Sequence, residues 1–210
     1  LSRIADSIRG SSIPLEGYRP QDHGPLVSYD GVDEYEEVER YWVNAPFAFV
    51  SVNYDAEENE HQYHVVEPEL DEFERRLLSD LFDDIRDSLI YRAEYEAENA
   101  EAAIKEQMRD LLEEYGVVVD MNAFYRLFYY LYREFEGYEK IDPLMEDPHI
   151  EDISCDGYDL PIFVYHDQYS DIETNISFSP DELDSFVVRL AQQSGRHISI
   201  GDPVAEGSLP

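Results

Sequence analysis

The chain of 210 residues is short of several residue types, and each shortage excludes a class of function. One cysteine, Cys155, can form neither an internal disulfide nor a cysteine metal cluster. The two lysines, Lys105 and Lys140, follow Ile104 and Glu139 and not a glycine. A phosphate-binding loop of the form Gly-x4-Gly-Lys-Ser/Thr needs its lysine after glycine, so these residues contain no Walker A site. Positive charge is scarce throughout: 15 Lys+Arg stand against 49 Asp+Glu, a formal net charge of −34. Nucleic acids and anionic lipid surfaces are both bound through clustered bases, so neither is an expected partner. No apolar run approaches the roughly 20 residues of a membrane-spanning helix, and no basic-then-apolar leader opens the chain. These absences together describe a soluble, intracellular chain.

What is present argues for a folded one. Apolar residues make up 43% of the sequence, with 17 Tyr and 10 Phe, which a disordered acidic tail would lack. The acids are spread evenly, the three successive thirds carrying nets of −11, −10 and −13. A nucleic-acid mimic would concentrate them on one face and an interaction tail at one end. With lysine depleted and acids on every element, the composition fits a protein working in concentrated salt. There the Debye length falls to about 3 Å and self-repulsion is screened. An acidic decoy for basic partners is the competing explanation.

Residues 1–35 are broken by glycine and proline, show no sustained period, and read as an extended or partly disordered lead-in. Leu1 is not an initiator Met, so the numbered chain is expected to begin inside a longer or processed product. Val38–Asn53 is aromatic and β-branched, and His61–Val66 reads as the returning strand of a hairpin. Leu70, Phe73, Leu77, Leu78, Leu81, Phe82, Ile85 and Leu89 then fall at helical spacing, and Ile104, Met108, Leu111, Leu112 and Tyr115 continue the pattern. Residues 69–115 are thus one long helix or a helical hairpin. A further helix follows Asp120, a suitable N-cap, and stops at Gly137. Beyond a short turn at Ile141–Met145, strands are expected near Ile150–Cys155, Ile162–His166 and Ile172–Phe178. A helix begins at Ser179-Pro180, with Leu183, Phe186, Val187, Leu190 and Ala191 as its buried face, and a fourth strand is expected at His197–Ile200. The fold class is α+β: a lead-in over 1–35, a β-hairpin with a helical bundle over 36–137, and a small mixed α/β module over 138–210.

Few residues suggest chemistry. His61 and His64 are three apart on a strand, hence on opposite faces, and make a poor metal pair. Glu146 and His149 have the Glu-x-x-His spacing of carboxylate-bridged metal sites, but Pro148 disfavours the helix such a site needs. The Glu94, Glu96, Glu98 and Glu101 series points several ways around a helix and reads as a solvated face. Tyr129, Tyr130 and Tyr132 with Phe124, Phe128 and Phe135 read as core packing, with one edge open to a subunit interface. Cys155, in a strand expected to be buried, reads as a structural thiol. Arg189 and Arg196 are the only bases after Lys140, and each is a partner for a carboxylate or a contact for an anion. No catalytic or metal-ligating residue is assigned.

The run YEKIDPLMEDPHIEDISCDG at 138–157, then PIFVYH at 161–166 and TNISF at 174–178, resembles archaeal type II/IV secretion-system ATPases, and a haloarchaeal member is implied, with which the acidic composition agrees. These are the motors of pili, secretion machines and the archaellum. The segments LAQQSGRHIS at 190–199, DPVAEGSLP at 202–210 and YWVNAPFA at 41–48 fit the same pattern. The resemblance implies an N-terminal regulatory and docking region that precedes a RecA-like ATPase domain, with ATP and Mg bound there and no cofactor in the present residues. It implies as partners the chain's own ATPase domain, neighbouring subunits of a hexamer and a membrane platform protein, without direct lipid binding. The location implied is cytoplasmic and peripheral, at the inner face of the cell membrane. Arg196 is the nearest basic position to the family's nucleotide-reaching arginine, and is the one candidate for a phosphate or intersubunit contact. Two readings compete with this one: a free-standing acidic protein that binds basic partners, and a metal-dependent enzyme built from the Glu-rich helices.

Overall fold

Pro46 divides what reads in sequence as one long strand. A computed structural model describes residues 19–31, 35–91, 100–196, 204 and 206–208. In it, β1 (Glu36–Asn44) ends two residues before this proline and β2 (Ala48–Asp55) starts two after it. Proline lacks the N–H that a central ladder position must donate. The chain therefore turns back at 45–47, with a cis Ala45–Pro46 bond and Asn44 paired to Ala48. β2 then pairs antiparallel with β3 (Glu60–Val66), from Phe49↔Val66 to Asp55↔Glu60. The expected hairpin is thus a three-stranded meander with β2 in the centre.

The chain divides into two compact units, Leu1–Pro148 and His149–Pro210. In the first, the meander is followed by α2 (Glu72–Tyr91), α3 (Ala100–Glu114) and α4 (Met121–Phe135). Leu77, Leu81 and Ile85 of α2 and Ile104, Met108 and Leu112 of α3 are buried at the expected helical spacing. Phe73 departs from that pattern and is 52% exposed, because it lies in the first turn of α2. The two helices are separate and packed on each other, Tyr115 donating its hydroxyl to Asp84. A single straight helix over 69–115 could not make that bond, so the hairpin alternative is the observed one.

α4 is the central helix. Ala123, Tyr125, Leu127, Phe128, Tyr129, Leu131 and Arg133 are all buried, which is more than one face of a helix. Asp120 caps it as expected, accepting from the Ala123 amide. Tyr129 stacks on Phe47 beside the meander, and Phe135 stacks on Phe82 of α2. Lys105 is also buried, its ammonium 4.7 Å from the centre of the Phe128 ring and bonded to Glu101. After α4, Gly137 is required by close approach: a Cβ there would lie 2.3 Å from the Asp142 carboxylate, which accepts from the Tyr138 amide. A 3-10 turn (Glu139–Ile141) and α5 (Asp142–Met145) close the unit.

Part of the expected lead-in is tied down. Pro20–His23 forms α1, the His23 carbonyl accepts from Asn122 of α4, and Leu26 and Val27 join the hydrophobic core. Neither a period nor a strand signal marks these two residues in sequence. Residues 1–18 lie outside the described residues.

The second unit holds β4 (Ile150–Ser154), β5 (Pro161–His166), β6 (Ser170–Ser177) and α6 (Pro180–Gln193). β5 lies between the other two and pairs antiparallel with both. Side chains alternate strictly along β5 and β6: Ile162, Val164, His166, Ile172, Thr174 and Ile176 are buried, and the residues between them are exposed. Ser179 and Glu182 form a reciprocal capping box at the start of α6, and Phe186 stacks on Phe178. Val187 and Val188 are 38% and 47% exposed, so the apolar stripe of α6 is narrower than its sequence suggests. Cys155 takes a correction as well: it falls one residue past β4 and is exposed. The fourth strand expected at 197–200 lies outside the described residues. With helices and antiparallel strands in separate runs, the class is α+β.

Candidate functional site

Three partly or fully buried polar constellations in the first unit link its elements. Asp147, 4% exposed, accepts hydroxyl protons from Tyr41 of β1 at 2.7 Å and Tyr63 of β3 at 2.5 Å. Burial first, and the adjacent carboxylate second, push both phenols far above their usual range, so they act as fixed donors and not as acids. Glu67 accepts from Tyr129 and from Arg133, while the Arg133 guanidinium lies 4.8 Å over the Tyr130 ring. Glu74 accepts from Arg126 and caps Asp71 at the entry to α2. All three join parts of the chain that are distant in sequence. They tie these parts of the fold together.

An open groove of about 440 Å³ runs beside α3 and the start of α4. Its floor is Leu112, Phe124 and Tyr125, its lip is Val117–Met121, and Arg109, Glu113 and Asp120 supply charge at the rim. Val118 is 97% exposed there, and Arg109 lies 5.4 Å over Phe124. The lining is mostly apolar with a few charges at its edge, a composition suited to holding a side chain of a partner and not to bond-making chemistry.

The second unit brings together His149, His166 and Asp167, whose ligand-type atoms lie within 4.8 Å of one another. The cause is strand pairing: Ile150 of β4 faces His166 of β5, so the residue before one strand meets those ending the other. His149 Nδ1 is 3.0 Å and His166 Nδ1 3.3 Å from the two oxygens of the Asp167 carboxylate. Two imidazoles and a carboxylate are a donor set suited to zinc-like cations. However, His166 Nδ1 also accepts the Gln168 amide at 3.1 Å. That lone pair is directed at an N–H, where a metal would need it, so we read the cluster as a hydrogen-bonded turn lock.

The residues singled out in sequence fall as follows. Glu146 is not part of this cluster; its carboxyl is raised by burial and by Asp142. His149 finds its partners 17 and 18 positions away, which no local spacing reveals. His61 rests on the Tyr54 ring and His64 on Tyr29, apart from each other, and burial lowers the pKa of His64. The aromatic belt of α4 is core, with Phe128 and Tyr129 almost fully buried. Arg189 is half-buried on α6. Arg196 is exposed just past the helix; its amide bonds the Ala191 carbonyl, and Gly195 takes the left-handed conformation that ends α6. Among the described residues no helix is long and apolar enough to cross a membrane.

Residues 1–69 match the family model for the PilB3-like N-terminal region. Over 184 residues, 87% of this chain, the sequence is 34% identical to the uncharacterized protein MJ1288 of Methanocaldococcus jannaschii, and the match covers 72% of that protein. Two other uncharacterized proteins of the same organism match over shorter stretches. MJ0900 is 30% identical over 86 residues and MJ0781 30% identical over 66, covering 40% and 31% of this chain. Those stretches are only 15% and 9% of the two relatives, which are therefore far longer proteins.

Proposed function

We propose that this chain, which belongs to the family of the uncharacterized protein MJ1288, acts as the N-terminal docking and regulatory region of a pilus- or secretion-type ATPase. The observation that carries the reading is the PilB3-like N-terminal match over residues 1–69. The two long relatives, in which a stretch like this one is a small part, are in keeping with a module joined to larger machinery. In this proposal ATP and Mg are bound by a RecA-like domain that is not among these residues. The present chain moves with that domain and passes its closure to a membrane platform protein, as hinge-type domain motions do. The assembly is a hexamer at the inner face of the membrane of a salt-adapted archaeon, held there by protein contacts. In this proposal Arg196, exposed beyond α6, makes the contact to a phosphate or a neighbouring subunit.

MJ1288 favours a second reading. The unmatched 28% of that protein amounts to roughly 70 residues, which is short for an ATPase domain of ordinary size. A relative this short supports a separate subunit that docks on a motor encoded elsewhere. The deciding experiment is to determine the mass and full sequence of the native gene product and to assay its ATP turnover. A product with a Gly-x4-Gly-Lys-Ser/Thr loop and turnover that these 210 residues alone lack supports the fused motor. A product without such a loop that stimulates no partner ATPase on mixing would sink both forms of the proposal.

A further inference from the structure

The exposed face of the second unit's sheet has a regular pattern that none of the sites above uses. Cross-strand partners share a face, so the register places Asp152, Tyr165 and Asp171 in one row and Ser154, Phe163 and Glu173 in the next. All six side chains are exposed; Phe163 and Tyr165 on the centre strand are 37% and 42% open to solvent. Two aromatic rings are thus flanked by three carboxylates, and among the described residues these strands carry no Lys or Arg. Asp152, Asp171 and Glu173 have no ion pair among the described residues. The two arginines of the unit, Arg189 and Arg196, lie on and just after α6 and not on these strands.

Ring faces carry partial negative charge and attract cations, guanidinium above all, while an adjacent carboxylate accepts the guanidinium N–H groups. We infer that this face is a docking surface for an arginine-bearing segment of a partner protein, with guanidinium groups lying over Phe163 and Tyr165 and bonded to Asp152, Asp171 and Glu173. A chain of net charge −34 attracts cations everywhere; the paired rings are what give this address its selectivity. In concentrated salt long-range attraction is screened, whereas ring-to-guanidinium contact and short hydrogen bonds persist. The surface lies within residues 152–173, and the inference goes beyond the ATPase reading without depending on it.

The test is an NMR titration of the full chain with an acetylated octapeptide alternating glycine and arginine, run in 1 M KCl. The same peptide with glutamine for arginine is the control. The expected result is a set of shifts concentrated at Asp152, Phe163, Tyr165, Asp171 and Glu173, absent with the control. Phe163→Ser with Tyr165→Ser leaves net charge unchanged and should weaken binding about tenfold. Asp80→Asn with Asp110→Asn, which removes two charges from α2 and α3, should change it less than about twofold. Should the serine variant lose its native amide spectrum, Asp171→Asn with Glu173→Gln tests the same surface at constant shape. Shifts spread over the whole acidic surface, loss of binding in 1 M KCl, or equal affinity in the ring-free variant would each overturn the inference.

Discussion

In the first unit Arg126, Arg133 and Lys105 turn inward, each against a carboxylate and two of them over aromatic rings. In the second, acids face outward on β4 and β6, at Glu151, Asp152, Asp171 and Glu173, with only Arg189 and Arg196 as Lys or Arg in the whole unit. The same acidic composition therefore does two different things. Where the chain is long enough to form a large core, three of its cations are drawn inward, and Arg126 and Arg133 join distant segments while others, such as Arg19, Arg76 and Arg86, stay exposed. Where the core is small, the carboxylates remain on the surface and the fold relies on β alternation, one capping box and the Phe178–Phe186 stack. Composition alone does not distinguish these uses; burial does.

The sharpest way to break this contrast is to remove an inward cation. Arg133→Met leaves the partly buried Glu67 beside Tyr129 without its counter-charge and should cost about 3 kcal/mol in denaturant unfolding. Adding Glu67→Gln should recover part of that loss, because the orphaned charge is gone. If Arg133→Met costs under about 1 kcal/mol, the pair is not the staple described here.

Salt should act unequally on the two units. Raising KCl from 0.2 M to 2 M shortens the Debye length to a few ångström or less. Amide protection should then rise more over β4–β6 than over α2–α4, where Glu74 and Glu101 are paired with Arg126 and Lys105. Equal gains in both units, or no gain, would remove surface repulsion as the reason for the difference. A smaller effect compares two helix starts. Asp120→Ala at α4 and Ser179→Ala at α6 should each cost about 1 kcal/mol. The α6 change should be the larger fraction of its unit's stability, as read by amide exchange within 180–193 and 121–135. A loss of protection confined to α4 would count against the second unit's dependence on its cap.

How much of this was legible follows from the range of each signal. Helices α2, α3, α4 and α6 show through their spacing of apolar residues, and the caps at Asp120 and Ser179 through local chemistry. Strand ends were less legible: Pro46 divides a uniformly β-favouring run that no apolar pattern interrupts. Leu26 and Val27 are buried by what α4 and the meander present to them, and two apolar residues carry no period. Val187 sits at a helical core position, yet α6 buries little beyond Phe186 and Ala191. The least legible grouping was that of His149 with His166 and Asp167, which depends wholly on β4–β5 register. The exposed rings at Phe163 and Tyr165 are of the same kind, since alternation places them outward but only pairing puts acids at their sides.

Lys105 has a consequence for covalent chemistry. Its amine is enclosed by the Tyr125 and Phe128 rings and bonded to Glu101, whereas Lys140, the other lysine, is half-exposed in the 3-10 turn after α4. An acylating reagent, or an enzyme that modifies lysine side chains, meets one such amine on the native protein and two once α3 and α4 separate. The number of modified lysines thus becomes a direct count of how much of the helical core is open.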